Sequence, residues 1–245
     1  MTVLSDTLLI PDWPAPARVR SCVTTRAGGV SCAPFDTLNL GDHVEDDAQA
    51  VAANRRRLTQ ALECQPAWLQ QVHGVAVVEA DPSQVMQADA SWSKTAGIAS
   101  AIMTADCLPA LFCNAAGTRV AAAHAGWRGL AAGVLEVTAA ALAVPSSDVL
   151  VWLGPAIGPQ AFEVGGEVRD AFVSSHADAH AAFKPSHNAE RFMADIYQLA
   201  RIRLAACGVT AVYGGGACTY SDPRFYSYRR ASRTGRFASL IWLVD

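Results

Sequence analysis

The 245-residue chain is 51% apolar and 17% charged, which excludes an unstructured polypeptide, because such a chain would be poorer in aliphatic residues and richer in charge. A net charge of −3 offers no general attraction to phosphate backbones or anionic membranes, so nucleic acid and membrane are both set aside as partners. Seven cysteines, an odd number without framework spacing, read as reduced thiols that mostly fill core positions.

The proline-rich opening forms a lead-in over 1–20, without a basic n-region and with only Leu8–Ile10 as an apolar run, too short for a signal peptide. No apolar segment reaches the ~18 residues of a membrane span, and the protein reads as cytoplasmic. The whole chain, 1–245, is expected to be one catalytic domain. "SCVTTR" (21–26) alternates like a strand and stops at Gly28-Gly29. "DDAQAVAANRRRLTQALE" (46–63) predicts a helix, acidic where the macrodipole favours it, with Val51, Leu58 and Leu62 on one face. "WLQQVHG" and "VAVVEA" are strand candidates around Gly74, and "IASAIMTADC", "LPALFCN" and "TRVAAAH" are apolar enough to be central strands. "GWRGLAAGVLEVTAAALA" (126–143) predicts a single helix and "DVLVWLG" (148–154) a strand. Further helices are expected at 165–175 and 195–207, the second closed by Gly208 at C′, before "VTAVYGGG" and "FASLIWLV" finish as strands. Strands that arrive both singly between helices and in adjacent runs predict an α/β or α+β layered sandwich, a mixed sheet with helices over its faces.

Three of the strands end alike. "VAAAH" delivers His124 just before Gly126, "TADC" delivers Asp106 and Cys107, and "QQVHG" delivers His73 before Gly74. Two imidazoles and a thiolate make a sensible zinc set, three protein ligands that leave a fourth tetrahedral position for water or substrate. Taken singly, each histidine is more often a hydrogen-bonded core residue and Cys107 an apolar filler. The spacing, 33 residues between His73 and Cys107 and 16 between Cys107 and His124, matches no compact zinc signature and leaves the metal open. "HVE" (43–45) imitates the His-x-Glu of zinc nucleobase deaminases, but the Cys-x-x-Cys that must accompany it is missing from the sequence, so it is read as a decoy.

The blocks "TTRAGGVS", "LNLGDHVEDD", "NRRRL", "QQVHG", "TADCLPALF", "AAHAGWRGL", "LGPAIGPQAFEVG", "CTYSDPRFYSYRR" and "TGR" together resemble the laccase-domain family of YfiH-like proteins, once labelled multicopper polyphenol oxidoreductases. The likeness runs from about Cys22 onward, in the expected order. It implies that His73, Cys107 and His124 hold one zinc, and that a purine nucleoside pocket lies beside the metal. It implies phosphorolysis of adenosine, inosine, guanosine and methylthioadenosine, with a slower deamination of adenosine. The fold implied is an α/β sandwich shared with the deamidase domain of cytotoxic necrotizing factor toxins.

Under that resemblance the partners are a purine nucleoside and phosphate, and the site needs cations and backbone donors for a dianion. The free N–H groups of the helix beginning near Gly126 would adjoin the metal. Arg128 sits in its first turn, Arg26 and Arg55 fall in matching blocks, and "RFYSYRRASRTGR" carries five arginines, of which Arg229 and Arg230 are expected to bind phosphate. The competing reading of these arginines is a solvated face. Asp106 is expected either as a general base or as a group that orients an imidazole, the second being favoured. Cys218 either lines the site or is buried as a small apolar residue.

There are four rival functions, of which a non-enzymatic binding module comes last, disfavoured by an open three-ligand set. A laccase needs several His-x-His pairs for its coppers, whereas this sequence has six histidines and no such pair. A metal-free hydrolase or deamidase would use Cys107 as nucleophile and His124 as base, with no need of His73. A peptidoglycan-precursor editing hydrolase would use the zinc centre on a muramyl peptide. The sequence leaves the oligomeric state open.

Overall fold

The computed structural model describes residues 4–245, so the first three residues of the lead-in lie outside the described residues. In chain order the elements are β1 (Val19–Val23), α1 (Ala48–Leu62), β2 (Gln65–Ala67), β3 (Leu69–Gln70), β4 (Val77–Glu79), β5 (Met86–Gln87), β6 (Ala90–Ser93), β7 (Ile98–Thr104), β8 (Leu108–Asn114) and β9 (Val120–Ala125). They continue with α2 (Trp127–Ala132), α3 (Val134–Ala141), β10 (Val149–Leu153), β11 (Glu163–Gly165), α4 (Gly166–Val173), β12 (Phe183–Pro185), β13 (Arg191–Ala194), α5 (Ile196–Ala206), β14 (Ala211–Gly214) and β15 (Phe237–Leu243).

The expected mixed α/β architecture is present, but with two principal sheets. A six-stranded sheet runs β14-β10-β8-β9-β6-β4, and a four-stranded sheet runs β1-β15-β7-β2. Both mix directions: β10 pairs parallel with β14 and antiparallel with β8, and β7 pairs antiparallel with β15 and parallel with β2. Side-chain alternation explains how they stack. Along β8, Leu108, Ala110 and Phe112 join the core under α3, α4 and α5, while Leu111 and Cys113 join a second core with Ile102 of β7 and Ile241 of β15. Along β7 and β15, the alternate residues Ala101, Met103, Ala238 and Leu240 join a third core against Leu58 of α1. The order is therefore helix, sheet, sheet, helix. The continuous apolar runs reflect burial on both faces, with every residue of β8 and β9 buried. At about 1.5–3 kcal/mol per large aliphatic or aromatic side chain, the fully buried Leu111 and Phe112 are strong determinants of this stacking.

Three local expectations are corrected. The helix predicted over 126–143 is two helices, because Gly133 (φ +104) ends α2 and begins α3. β6, which joins β9 to β4, went unforeseen because "ASWS" carries little apolar signal. A small three-stranded sheet, β11-β13-β12, occupies a stretch in which only helices were foreseen. No helix among the described residues is long and apolar enough to cross a membrane.

Candidate metal centre and cavity

His124 is buried on β9 with its Nδ1 donating to Asp89 Oδ1 at 2.8 Å, which turns Nε2 to the other side. The Asp89 carboxylate also accepts the backbone N–H groups of His73 (2.9 Å) through Oδ1, and of Gly74 (2.6 Å) and Val72 (3.2 Å) through Oδ2. His73 sits at φ +63, a left-handed conformation unusual for a side-chain-bearing residue, and these bonds hold its turn in place. Burial pushes the Asp89 carboxyl up, but the bonds from His124 and the turn outweigh it and hold it below its ordinary value.

Cys107 lies in the turn between β7 and β8. Its Sγ is 4.0 Å from His73 Nε2, and the two imidazoles meet edge to face with centroids 4.7 Å apart. The ligand atoms of His73, Cys107 and His124 all lie within 4.8 Å of one another, so the group can hold a metal. Burial opposes ionisation of the Cys107 thiol, yet His124 and then His73 outweigh it and lower its pKa to about 6. Burial likewise disfavours the charged His124, but Cys107 and Asp89 together raise its pKa to about 9. A thiol disposed to ionise beside two imidazoles, one locked by a carboxylate, is a donor set that fits zinc. Gly126 completes the fit by close approach. A Cβ there would stand 2.8 Å from His73 Cδ2 and 3.2 Å from Cys107 Sγ, and one at Gly129 would stand 2.8 Å from the Gly74 carbonyl.

The three ligand residues line a cavity of about 430 Å³ together with Trp127, Ile157, Phe162 and Tyr228 and the polar His43, Arg229 and Arg236. Of the five arginines singled out from the sequence, only Arg229 lines it. Arg26 pairs with Asp36 and lies over the Tyr226 ring, and Arg55 pairs with Asp42 and lies over Trp68. Arg128 is exposed and stacks on Trp127. Arg230 is tied to the carbonyls of Thr219, Tyr220 and Phe225. Cys218 is half-buried outside the lining and accepts the Gly158 N–H at 3.2 Å.

Asp106, at φ +95, reaches neither imidazole. One carboxylate oxygen accepts the Thr219 hydroxyl (2.6 Å) and the other accepts the Arg229 N–H (2.7 Å), so it ties two loops to the Cys107 turn. The orienting role expected of Asp106 belongs to Asp89, which nothing in "ADASWS" signalled. His43, set aside as part of a decoy motif, is a cavity residue after all. Gln71 pins the same wall by exchanging two 2.8 Å bonds with the Met103 backbone.

The chain is similar to known proteins over nearly its whole length. A family model described as "Multi-copper polyphenol oxidoreductase laccase" matches residues 20–244. The chain is 75% identical to the purine nucleoside phosphorylase PA4543 of Pseudomonas aeruginosa, covering 97% of this chain and 98% of that one. It is 55% identical to the purine nucleoside phosphorylase YfiH of Escherichia coli, covering 97% and 99%. Among solved structures, that of the Neisseria meningitidis protein NMB0706 superposes with a TM-score of 0.95 at 50% identity, covering 98% of this chain and 100% of that one.

Proposed function

The chain belongs to the multi-copper polyphenol oxidoreductase laccase family, and from that premise we propose that it is a zinc-dependent purine nucleoside phosphorylase. The observation that carries the reading is the convergence of His73, Cys107 and His124 within 4.8 Å in the wall of a nucleoside-sized cavity. The relatives that match nearly the whole chain bear the phosphorylase name. In this reading the three residues hold the metal through one sulfur and two nitrogens, and Asp89 keeps His124 in the tautomer that ligates through Nε2. Zinc, when bound, supplies Lewis-acid chemistry at neutral pH.

The other roles fall to the chain's own groups. Trp127, Phe162 and Tyr228 offer apolar faces to a purine and exclude water from it, and Arg229 places positive charge at the rim. Asp106 acts as a brace, because both its oxygens are engaged in holding Thr219 and Arg229. A slower deamination of adenosine in the same cavity belongs to the proposal, as does a cytoplasmic location, where a thiolate ligand stays reduced.

A metal-free hydrolase remains as a second reading because Cys107, His124 and Asp89 also form a nucleophile, base and orienting carboxylate. His73 separates the two, since only a metal requires that third donor. The deciding experiment measures zinc content and base release from adenosine with and without phosphate. One equivalent of zinc, phosphate-dependent release of adenine and ribose-1-phosphate, and joint loss of zinc and turnover in His124→Ala are expected. Full turnover after removal of zinc would sink the proposal in favour of the Cys–His reading, and release of an amino acid from a peptidoglycan precursor would replace the substrate.

A further inference from the structure

We propose that the guanidinium of Arg236, with His43 beside it, forms the oxyanion subsite of this cavity and takes the orthophosphate that attacks the nucleoside. The proposal rests on the phosphorylase reading and adds to it the site of the second substrate.

Arg236 differs from Arg224, Arg229 and Arg230 in what its guanidinium lacks, and from Arg233, which among the described residues also has no hydrogen bond or ion pair but is exposed over the Phe35 ring, in lining the metal-centre cavity. Both terminal nitrogens of Arg229 are held by the carbonyls of Ala161 and Glu163, and Arg224 is paired with Asp222. Arg236 engages only Nη1, which donates to the carbonyls of Thr234 and Gly235 at 3.1 Å each. Among the described residues its Nε and Nη2 have no hydrogen-bond partner, and no carboxylate comes within ion-pair distance. Those two nitrogens form the side of the guanidinium that offers parallel N–H groups to a phosphate or carboxylate.

The rest of the residue is fixed. Its backbone N–H donates to Asn39 Oδ1 (2.8 Å), its carbonyl accepts the Leu40 N–H (3.1 Å), and its stem packs so closely on Gly41 that a Cβ there would stand 2.8 Å from Arg236 Cγ. A cation held in this way loses little freedom when an anion docks. It is also partly withdrawn from water, a cost that the charges of Cys107 and Asp106, neither of them in contact with it, offset only in part and that an incoming anion would relieve. His43 is not a counter-ion, since an imidazole carries either no charge or a positive one. Burial first, and then the charge of Arg236, holds its imidazole below the ordinary range against the opposing pull of Asp42.

The location suits the reaction. Arg236 and His43 line the metal-centre cavity, and with Tyr228 they also line an adjoining hollow of about 340 Å³ bounded by Val44, Ser232, Arg233, Thr234 and one carboxylate, that of Glu45. Phosphate can thus approach from the polar hollow while the purine occupies the apolar side. In the step this arrangement serves, one oxygen of HPO4(2−) forms a bond to the ribose anomeric carbon. The bond from that carbon to the purine nitrogen breaks, its electron pair leaves with the base, and the proton carried by the phosphate ends on the purine.

The test uses zinc-loaded full-length protein. Arg236→Gln is expected to raise the KM for phosphate at least about tenfold while the nucleoside KM changes less than about twofold and zinc content is unchanged. Arg236→Lys, which keeps the charge but not the fork, falls between. An independent arm on the wild type follows modification of Arg236 by phenylglyoxal using mass spectrometry. Inorganic phosphate is expected to protect Arg236, and sodium chloride of equal ionic strength is not. A phosphate KM unchanged in folded Arg236→Gln, or modification that phosphate does not slow, overturns the proposal. If the wild type releases no base with phosphate, the phosphorylase reading fails, and the protection arm still decides whether Arg236 binds the anion.

Discussion

Asp89 carries the heaviest positional duty of any single side chain near the metal centre, since one carboxylate fixes the ring of His124 and the backbone turn that presents His73. An amide has one acceptor oxygen and cannot serve both. Asp89→Asn is therefore expected to weaken zinc binding by about 10–100-fold, as competition against a chromophoric chelator would measure, and an unchanged affinity would show the carboxylate to be idle. That His73, Cys107 and His124 converge was legible in the sequence because Cys107 and His124 stand at the ends of apolar runs and His73 just before a glycine. Asp89 was not, because its partners at 72–74 and 124 become neighbours only through the fold. Arg236 was hidden differently. Within a run of five arginines nothing local distinguishes the one that keeps a free guanidinium edge in the cavity wall, and the choice of Arg229 and Arg230 rests on motif alone.

Elements with an unambiguous environment were the readable ones. β8 and β9, buried on both faces, advertise themselves as unbroken apolar runs. Gly208 ends α5 as expected, with the Val209 N–H reaching the Leu204 carbonyl and the Gly208 N–H reaching that of Ala205. The break between α2 and α3 escaped notice because alanine-rich sequence on both sides favours helix, and only the geometry reveals that Gly133 adopts φ +104. Alanine at that position would be strained and would meet Arg203 Nη2 at 3.2 Å. Gly133→Ala is expected to cost about 1–2 kcal/mol, a fall in Tm of roughly 2–8 °C by calorimetry, with zinc content unchanged. A variant more stable than the wild type would mean that the two helices can fuse at no cost.

At the scale of the molecule, the three residues that could hold a metal come from different layers. Cys107 lies in the turn that passes from β7 of the four-stranded sheet to β8 of the six-stranded one, His124 is on β9, and His73 follows β3. A bound ion would tie these layers together, so chelation should lower Tm and restored zinc should recover it. The linkage is worth about 2.7 kcal/mol when free zinc stands at one hundred times its Kd. A Tm insensitive to chelation, in protein that measurably loses its metal, would mean that the layers do not feel the ion. The order of strands carries a consequence of its own. β7, which leads into the cysteine, is flanked by β2 on one side and on the other by β15, a strand made far downstream. The sheet that leads into Cys107 therefore cannot close around β7 until the last strand of the chain is available to lie between β1 and β7.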